Sequence, residues 1–234
     1  MEHGVTDRDV PRTGAILATL VGVSLRRVSR SRAVWVVAMI AALPTLLAAA
    51  MPHRHEAVAT AAALELVVML LLPCVFVASA IGEEIEDRTT TYLWSRPIAR
   101  WTLVVGKLLA LAPLSALLVA GGWVMATQAA GSPFPLQSAI AFAAGAVAVS
   151  VVAAGVALLV PKHGMAVSIA YLVIVDLVIG GIPASLQAIS ITRQVRLLAD
   201  IESAPSLVTP AITLAAIAAV WLAIGLLRVR RLES

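Results

Sequence analysis

The chain is predicted to be an all-α, polytopic membrane protein with six transmembrane helices and both termini inside (N-in/C-in). Three observations lead there. Of its 234 residues 61% are apolar and only 13% charged, whereas a soluble domain keeps roughly a quarter of its residues charged. Mean hydropathy is +0.98. Apolar runs of about 20 residues, the length that crosses the hydrocarbon core, recur along the whole sequence. The longest polar stretches between them, 1–32, 82–102 and 183–206, are too short for a catalytic or nucleotide-binding domain, which needs ~100 residues or more. An ordinary soluble enzyme, a disordered tail and a disulfide scaffold are thereby excluded.

The spans are placed at 33–51, 57–81, 103–127, 138–160, 165–182 and 207–227. Residues 1–32 form a leader before this 33–227 domain, and 228–234 form a tail after it. With the N-terminus inside, 14 of the 17 lysines and arginines fall on the inner side, and only Arg54, Arg193 and Arg196 fall outside. The opposite topology would invert the bias that orients short-looped membrane proteins. The net charge of +4 therefore reports topology and contact with anionic membrane lipid, with no role for nucleic acid.

In the leader, Leu17, Leu20, Val21 and Leu25 recur at helical spacing and the arginines gather toward the C-terminal end. That pattern fits a helix over 14–32 lying in the interface, or a solvated leader that merely carries inside charges. The first span is a retained helix: its leader and apolar run are too long for a cleaved signal, despite Ala48-Ala49-Ala50. The turn His53-Arg54-His55-Glu56 has two imidazoles, short of the four ligands of a closed zinc site. Cys74, the sole cysteine, reads as a small apolar side chain.

The third and fourth spans carry Gly121-Gly122, then Ala141, Ala144, Gly145, Ala148, Ala154 and Gly155. Small residues let helix backbones approach closely, within one chain or across a dimer face. Gly131–Pro135 and Pro161–Gly164 read as turns. In 183–206, Ile191, Val195 and Leu198 line one face while Arg193, Arg196 and Asp200 take the other. This predicts a short external helix on, or dipping into, the outer leaflet. Thr209-Pro210 is read as cap and first position of the last span.

The segment 82–102 is the most informative. Glu83, Glu84, Glu86 and Asp87 sit at the end of the second span, where negative charge opposes the helix dipole. They suit the start of a new helix, so a break near Gly82 and a short surface helix over about 84–95 are predicted. Pro97 ends it, because the residue before proline is pushed out of the α region. The residues alone admit a docking element for a soluble partner or a solvated loop.

Glu83, Glu84, Glu86, Thr89, Thr90, Tyr92, Leu93, Arg96, Pro97, Ile98, Arg100, Gly106 and Lys107 resemble the signature of type-2 ABC exporter permeases: an acidic stretch, Thr, a leucine-rich stretch, Arg-Pro-Ile, a second Arg and Gly-Lys. Arg88 stands where the family commonly has Gly. The likeness covers about 30 residues and extends to the six-span topology. It implies a permease subunit that pairs with a second copy or a homologue and recruits two ATP-binding subunits. The coupling segment, with Glu83, Glu84, Glu86, Asp87, Arg88, Thr89, Thr90, Tyr92, Arg96, Pro97 and Arg100, would seat in the ATPase. The chain itself has no G-x-x-x-x-G-K-[ST], so ATP and Mg²⁺ belong to the partner, and no cofactor and no catalytic residue are expected here.

Two acids lie within spans: Glu65, about eight residues into the second, and Asp176, about eleven into the fifth. A charge there costs ~3 kcal/mol or more, so such residues face a bundle interior or an aqueous cavity. They read as path lining, as a proton site or as hydrogen-bonded structural acids. The competing function is an ion- or proton-coupled carrier driven by Glu65 and Asp176, although no internal repeat is visible. An intramembrane enzyme finds no support, since His3, His53, His55 and His163 all lie outside the spans.

Overall fold

The computed structural model describes residues 13–30, 33–86, 100–182, 185–202 and 206–231, all helix and connection, with no strand among them. Helix α1 (Thr13–Arg30) leads to α2 (Ala33–Ala50). A short turn follows, and α3 (Arg54–Pro73) continues through a π-helical turn at Cys74–Ala78 into α4 (Ser79–Glu86). After the next connection come α5 (Arg100–Ala129) and α6 (Leu136–Leu159). A 3₁₀ turn, Pro161–His163, opens the fifth expected span. There α7 (Gly164–Ile169) and α8 (Leu177–Gly181) flank a π-helical stretch, Ala170–Asp176. A second 3₁₀ turn, Ser185–Ile189, precedes α9 (Ile191–Leu198), and α10 (Val208–Arg231) closes the fold.

Five of these units are long and apolar enough to cross a membrane: Arg54–Gly82, Trp101–Ala129, Leu136–Leu159, Pro161–Gly181 and Val208–Val229. The protein is accordingly multi-pass. A sixth crossing exists if α1 and α2, bent by 75° against each other, count as one. The expected first span is α2, whose 18 residues reach only ~27 Å at 1.5 Å per residue, slightly under the ~30 Å core.

The wide turns have local causes. Pro73 supplies no N–H to the ladder, and the five residues after it take up the slack as a π bulge. The Cys74 thiol, the Ser79 hydroxyl and the Ser115 hydroxyl each turn back to a carbonyl four residues earlier, the way such groups hide from lipid. Pro44 and Pro113 are absorbed within α2 and α5. Gly131, at φ 71, makes the tight exit from α5, and Arg54 donates to its carbonyl (3.4 Å).

Helix α6 is the hub. It packs against α3, α5, α7, α9 and α10, and 72% of its most apolar 18 residues are buried against 17% for α10. Ala141, Gly145, Ala148, Ala154 and Gly155 are buried within the chain while Ala144 is exposed. The buried members of the set serve packing inside the chain, while Ala144 and Gly121 face outward. A Cβ on Gly155 would sit 2.8 Å from the Trp221 ring, so the glycine sets how closely α6 and α10 approach. The core around α6 includes Phe142, Met69, Leu111, Val149 and Val152, with Trp123 tilted on Phe142 (centroids 4.9 Å apart) and its indole N–H donating to Ser138 (2.8 Å).

Two ends of the bundle can be told apart by their contacts. One, the basic end, gathers α1, the tip of α4, the start of α5, the 161–163 turn and the last turns of α10. The other, the distal end, holds Arg54 against Gly131, and Gln137 of α6 against the Leu198 carbonyl of α9 (3.1 Å).

Candidate functional site

At the basic end the expected break near Gly82 is absent: α4 runs helical through Gly82 to Glu86. Acids at a helix C-terminus are unfavourable unless cations compensate, and the compensating cation is at hand. Lys107, 7% exposed, donates its ammonium to the Ala80 carbonyl in the last turns of that helix. Lys107 is thus turned inward, and it bridges α5 to α4. On the other side, a Cβ on Gly82 would meet the Pro161 carbonyl at 3.4 Å, so the helix end rests on the 161–163 turn. Helix α1 covers the neighbouring Gly106 with Leu17 and Leu20; a Cβ there would meet Leu20 at 3.2 Å.

The backbones of Glu83, Glu84 and Glu86 belong to α4, and that of Arg100 opens α5; their side chains fall outside the described part. Asp87, Arg88, Thr89, Thr90, Tyr92, Arg96 and Pro97, with the rest of the helix expected over 84–95, lie outside the described residues.

Glu65 and Asp176, grouped by sequence, are not brought together. Asp176 ends the π-helical stretch of the fifth unit and is 7% exposed. Its Oδ1 accepts the Ile191 N–H (2.7 Å) and its Oδ2 accepts the Thr192 N–H (3.0 Å). Ser190, the N-cap of α9, accepts the Arg193 N–H (3.3 Å) and lies 3.1 Å from the Asp176 carbonyl, to which its hydroxyl donates. The first N–H groups of a helix have no partner within it. Here the opening three of α9 are all satisfied, two of them by an acid from a different helix.

The reason is burial. Among lipid and packed side chains no water supplies the missing acceptors, so irregular backbone needs protein partners. Helix α9 is sunk into the bundle rather than laid on its surface: Thr192 and Val195 are fully buried, and Val195 fills the space beside Met69 that a Cβ on Gly145 would occupy. Gly180 gives it room, since a Cβ there would lie 2.6 Å from both the Ser190 and Thr192 hydroxyls. The far end of α9 is equally closed. Asp200 takes a left-handed conformation (φ 59), and Ile201 N–H returns to the Arg196 carbonyl (3.0 Å), the pattern of a Schellman stop. Glu202 then pairs with Arg196 (3.5 Å) and Arg193 (3.8 Å).

Glu65 is the opposite case. It is 0% exposed and neither carboxyl oxygen has a hydrogen-bond partner among the described residues. It faces Gly122 of α5, where a Cβ would lie 3.4 Å from both carboxyl oxygens and 3.1 Å from the Ala41 carbonyl of α2. The Thr45 hydroxyl of α2 donates to the carbonyl of the same Gly122 (3.5 Å). Three helices thus close around a carboxyl group, and their described residues give it no donor. No group of His, Cys, Asp and Glu able to hold a metal occurs among the described residues.

Sequence reasoning missed Ser190, Thr192 and Gly180 as partners of Asp176, and Gly122 as the neighbour of Glu65. A serine just before an amphipathic run is an N-cap signal; nothing in the sequence points to the others. A scan against protein-family models finds no match, and a search of curated proteins finds none either.

Proposed function

We propose that the chain is the permease subunit of an ABC transporter, working as an exporter in the cell membrane with both termini cytoplasmic. Two copies, or this chain and a homologue, would form the translocation path, and two ATP-binding subunits would dock on residues 82–102. ATP and Mg²⁺ would bind in those subunits. The observation that carries the reading, beside the sequence resemblance, is the bracing of the acidic helix end. Lys107 ties it to α5, Gly82 rests it on the 161–163 turn, and α1 covers the adjacent Gly106. A load on 83–100 would pass at once to α5 and to the turn linking α6 and α7, which is what a lever between an engine and a rocking bundle needs.

The test is Glu83, Glu84 and Glu86 all changed to alanine, with the chain co-purified with its ATPase and reconstituted. ATP hydrolysis should persist while ATP-driven transport falls at least tenfold. Coupling at the parental level would overturn the docking role, and a parent that transports without any ATPase would overturn the reading as a whole.

A second reading, a proton-coupled carrier, is favoured by one observation: the buried Glu65, which has no donor among the described residues. It would rest on Glu65 alone, since Asp176 is engaged in capping α9.

A further inference from the structure

Among the described residues no cation stands beside Glu65. Helices α2 and α6, both packed on α3, carry no lysine, arginine or histidine. On α5 the nearest is Lys107, about four turns from Gly122 and already bonded to the Ala80 carbonyl. Arg54 and His55 stand about three turns back, at the start of α3 itself. A carboxylate buried this completely needs a counter-charge. The surrounding helices supply none.

Gly122, which meets Glu65, also lines a groove of about 380 Å³ between α2 and α5, within the ~300–1,000 Å³ of small-molecule sites. Leu117 and Met125 stand exposed in its wall, so it opens to the side of the bundle. Ala41 lines it too, and a Cβ on Gly122 would lie 3.1 Å from the Ala41 carbonyl and 3.4 Å from both Glu65 oxygens. The carboxyl is thus parted from the groove by backbone and by no side chain at 122. Across so thin and apolar a wall a carboxylate attracts a cation far more strongly than through water. The adjoining cavity toward α1 carries Arg26 instead, so a cation is repelled there and held beside Gly122. The groove's lining is otherwise aliphatic or small, and its one hydroxyl, Thr45, is bonded to the Gly122 carbonyl. That suits a cation with no N–H groups to satisfy, since burying an unpaired donor is costly.

We infer that the groove between α2 and α5 binds one lipophilic cation, a quaternary ammonium or phosphonium with hydrocarbon arms, its charge over Gly122 and opposite Glu65. The arms would fill the apolar wall from Ala38 to Met125, and the carboxylate would gain the counter-charge that the chain withholds. As the substrate class of an exporter this rests on the transport reading; as a binding site it does not.

Equilibrium dialysis of radiolabelled tetraphenylphosphonium against the purified full chain in detergent, without ATPase or ion gradient, tests it. The parent should bind the cation, and neutral triphenylphosphine oxide should displace it poorly. Glu65→Gln keeps the shape, removes the charge and should weaken binding by about tenfold or more, the scale of one charge pair in an apolar medium. Gly121→Leu should abolish binding, since its Cβ meets nothing within 4 Å and the side chain grows from the groove wall without a clash. No binding by the parent, displacement by the neutral oxide as readily as by unlabelled cation, or parental affinity in either variant would overturn the site. Binding without ATP-driven transport would sink the exporter and keep the site; ATP-driven transport without binding would sink the site alone.

Discussion

Asp176 and Glu65 are the same functional group in the same kind of place, a carboxyl buried in a membrane-spanning helix, and their surroundings are opposite. Asp176 meets two backbone N–H groups and lies beside the Ser190 hydroxyl. Glu65 meets a glycine and a carbonyl, and among the described residues no donor. An acid in lipid is structural where a broken or re-entrant helix at the same depth leaves N–H groups without acceptors. Helix α9 is such a break, and its opening N–H groups would each cost free energy if left bare. Around Glu65 the three helices pass without a start or a break, so no helix-start N–H group lies there for a carboxyl to cap. One acid offsets a cost, and the other is a cost that packing alone does not require.

The sharpest way to break the contrast is to remove the cap. Asp176→Ala strands the N–H groups of Ile191 and Thr192, at about 1–3 kcal/mol each, so a loss of about 4 kcal/mol is expected. Asp176→Asn keeps one acceptor oxygen and should lose about half of that. Cys74, the sole cysteine and fully buried, makes the readout simple: thermal unfolding followed with a thiol-reactive dye. A midpoint in Asp176→Ala equal to the parent's would remove the capping role. Gly180→Ala comes next. It forces a methyl toward two hydroxyls at 2.6 Å and should cost about 1–3 kcal/mol through displacement of α9. Because both substitutions act on one helix, the double variant should cost less than the sum; strict additivity would mean that Gly180 acts elsewhere.

Much of this architecture could be read from residue patterns because length and hydrophobicity are local properties. The apolar runs at 57–81, 103–127, 138–160, 165–182 and 207–227 each overlap a membrane-length unit. The buried stripe of α9 showed in Ile191 and Val195. What could not be read was depth. Whether α9 lies on the surface or inside depends on Gly145 and Gly180, which leave room for Val195, Ser190 and Thr192 from segments 10 to 50 residues away. The break at Gly82 was wrong for a related reason. The dipole argument took the acids as isolated on their own helix, whereas Lys107, bonded to the Ala80 carbonyl 27 residues upstream of it, brings a cation to the same end. Thr209-Pro210 was off by less: α10 starts at Val208, and Pro210 sits in the first turn, where its missing N–H is harmless. As for the two acids, both are surrounded in sequence by aliphatic residues, and only the fold assigns one of them a partner.

The smallest change in stability is expected at Glu65, and its sign is what matters. Replacing a buried polar group that has no partner by an apolar one of similar shape removes a desolvation cost and breaks no bond. Glu65→Met should therefore leave the unfolding midpoint unchanged or raise it, by up to about 2 kcal/mol, where Asp176→Ala lowers it. If the carboxyl serves transport, the same variant should lose flux while the protein grows no less stable, the signature of a group kept for function at the expense of packing. Should Glu65→Met instead unfold as readily as Asp176→Ala, the carboxyl would have a donor in the working assembly, and the contrast between the two acids would be one of location only.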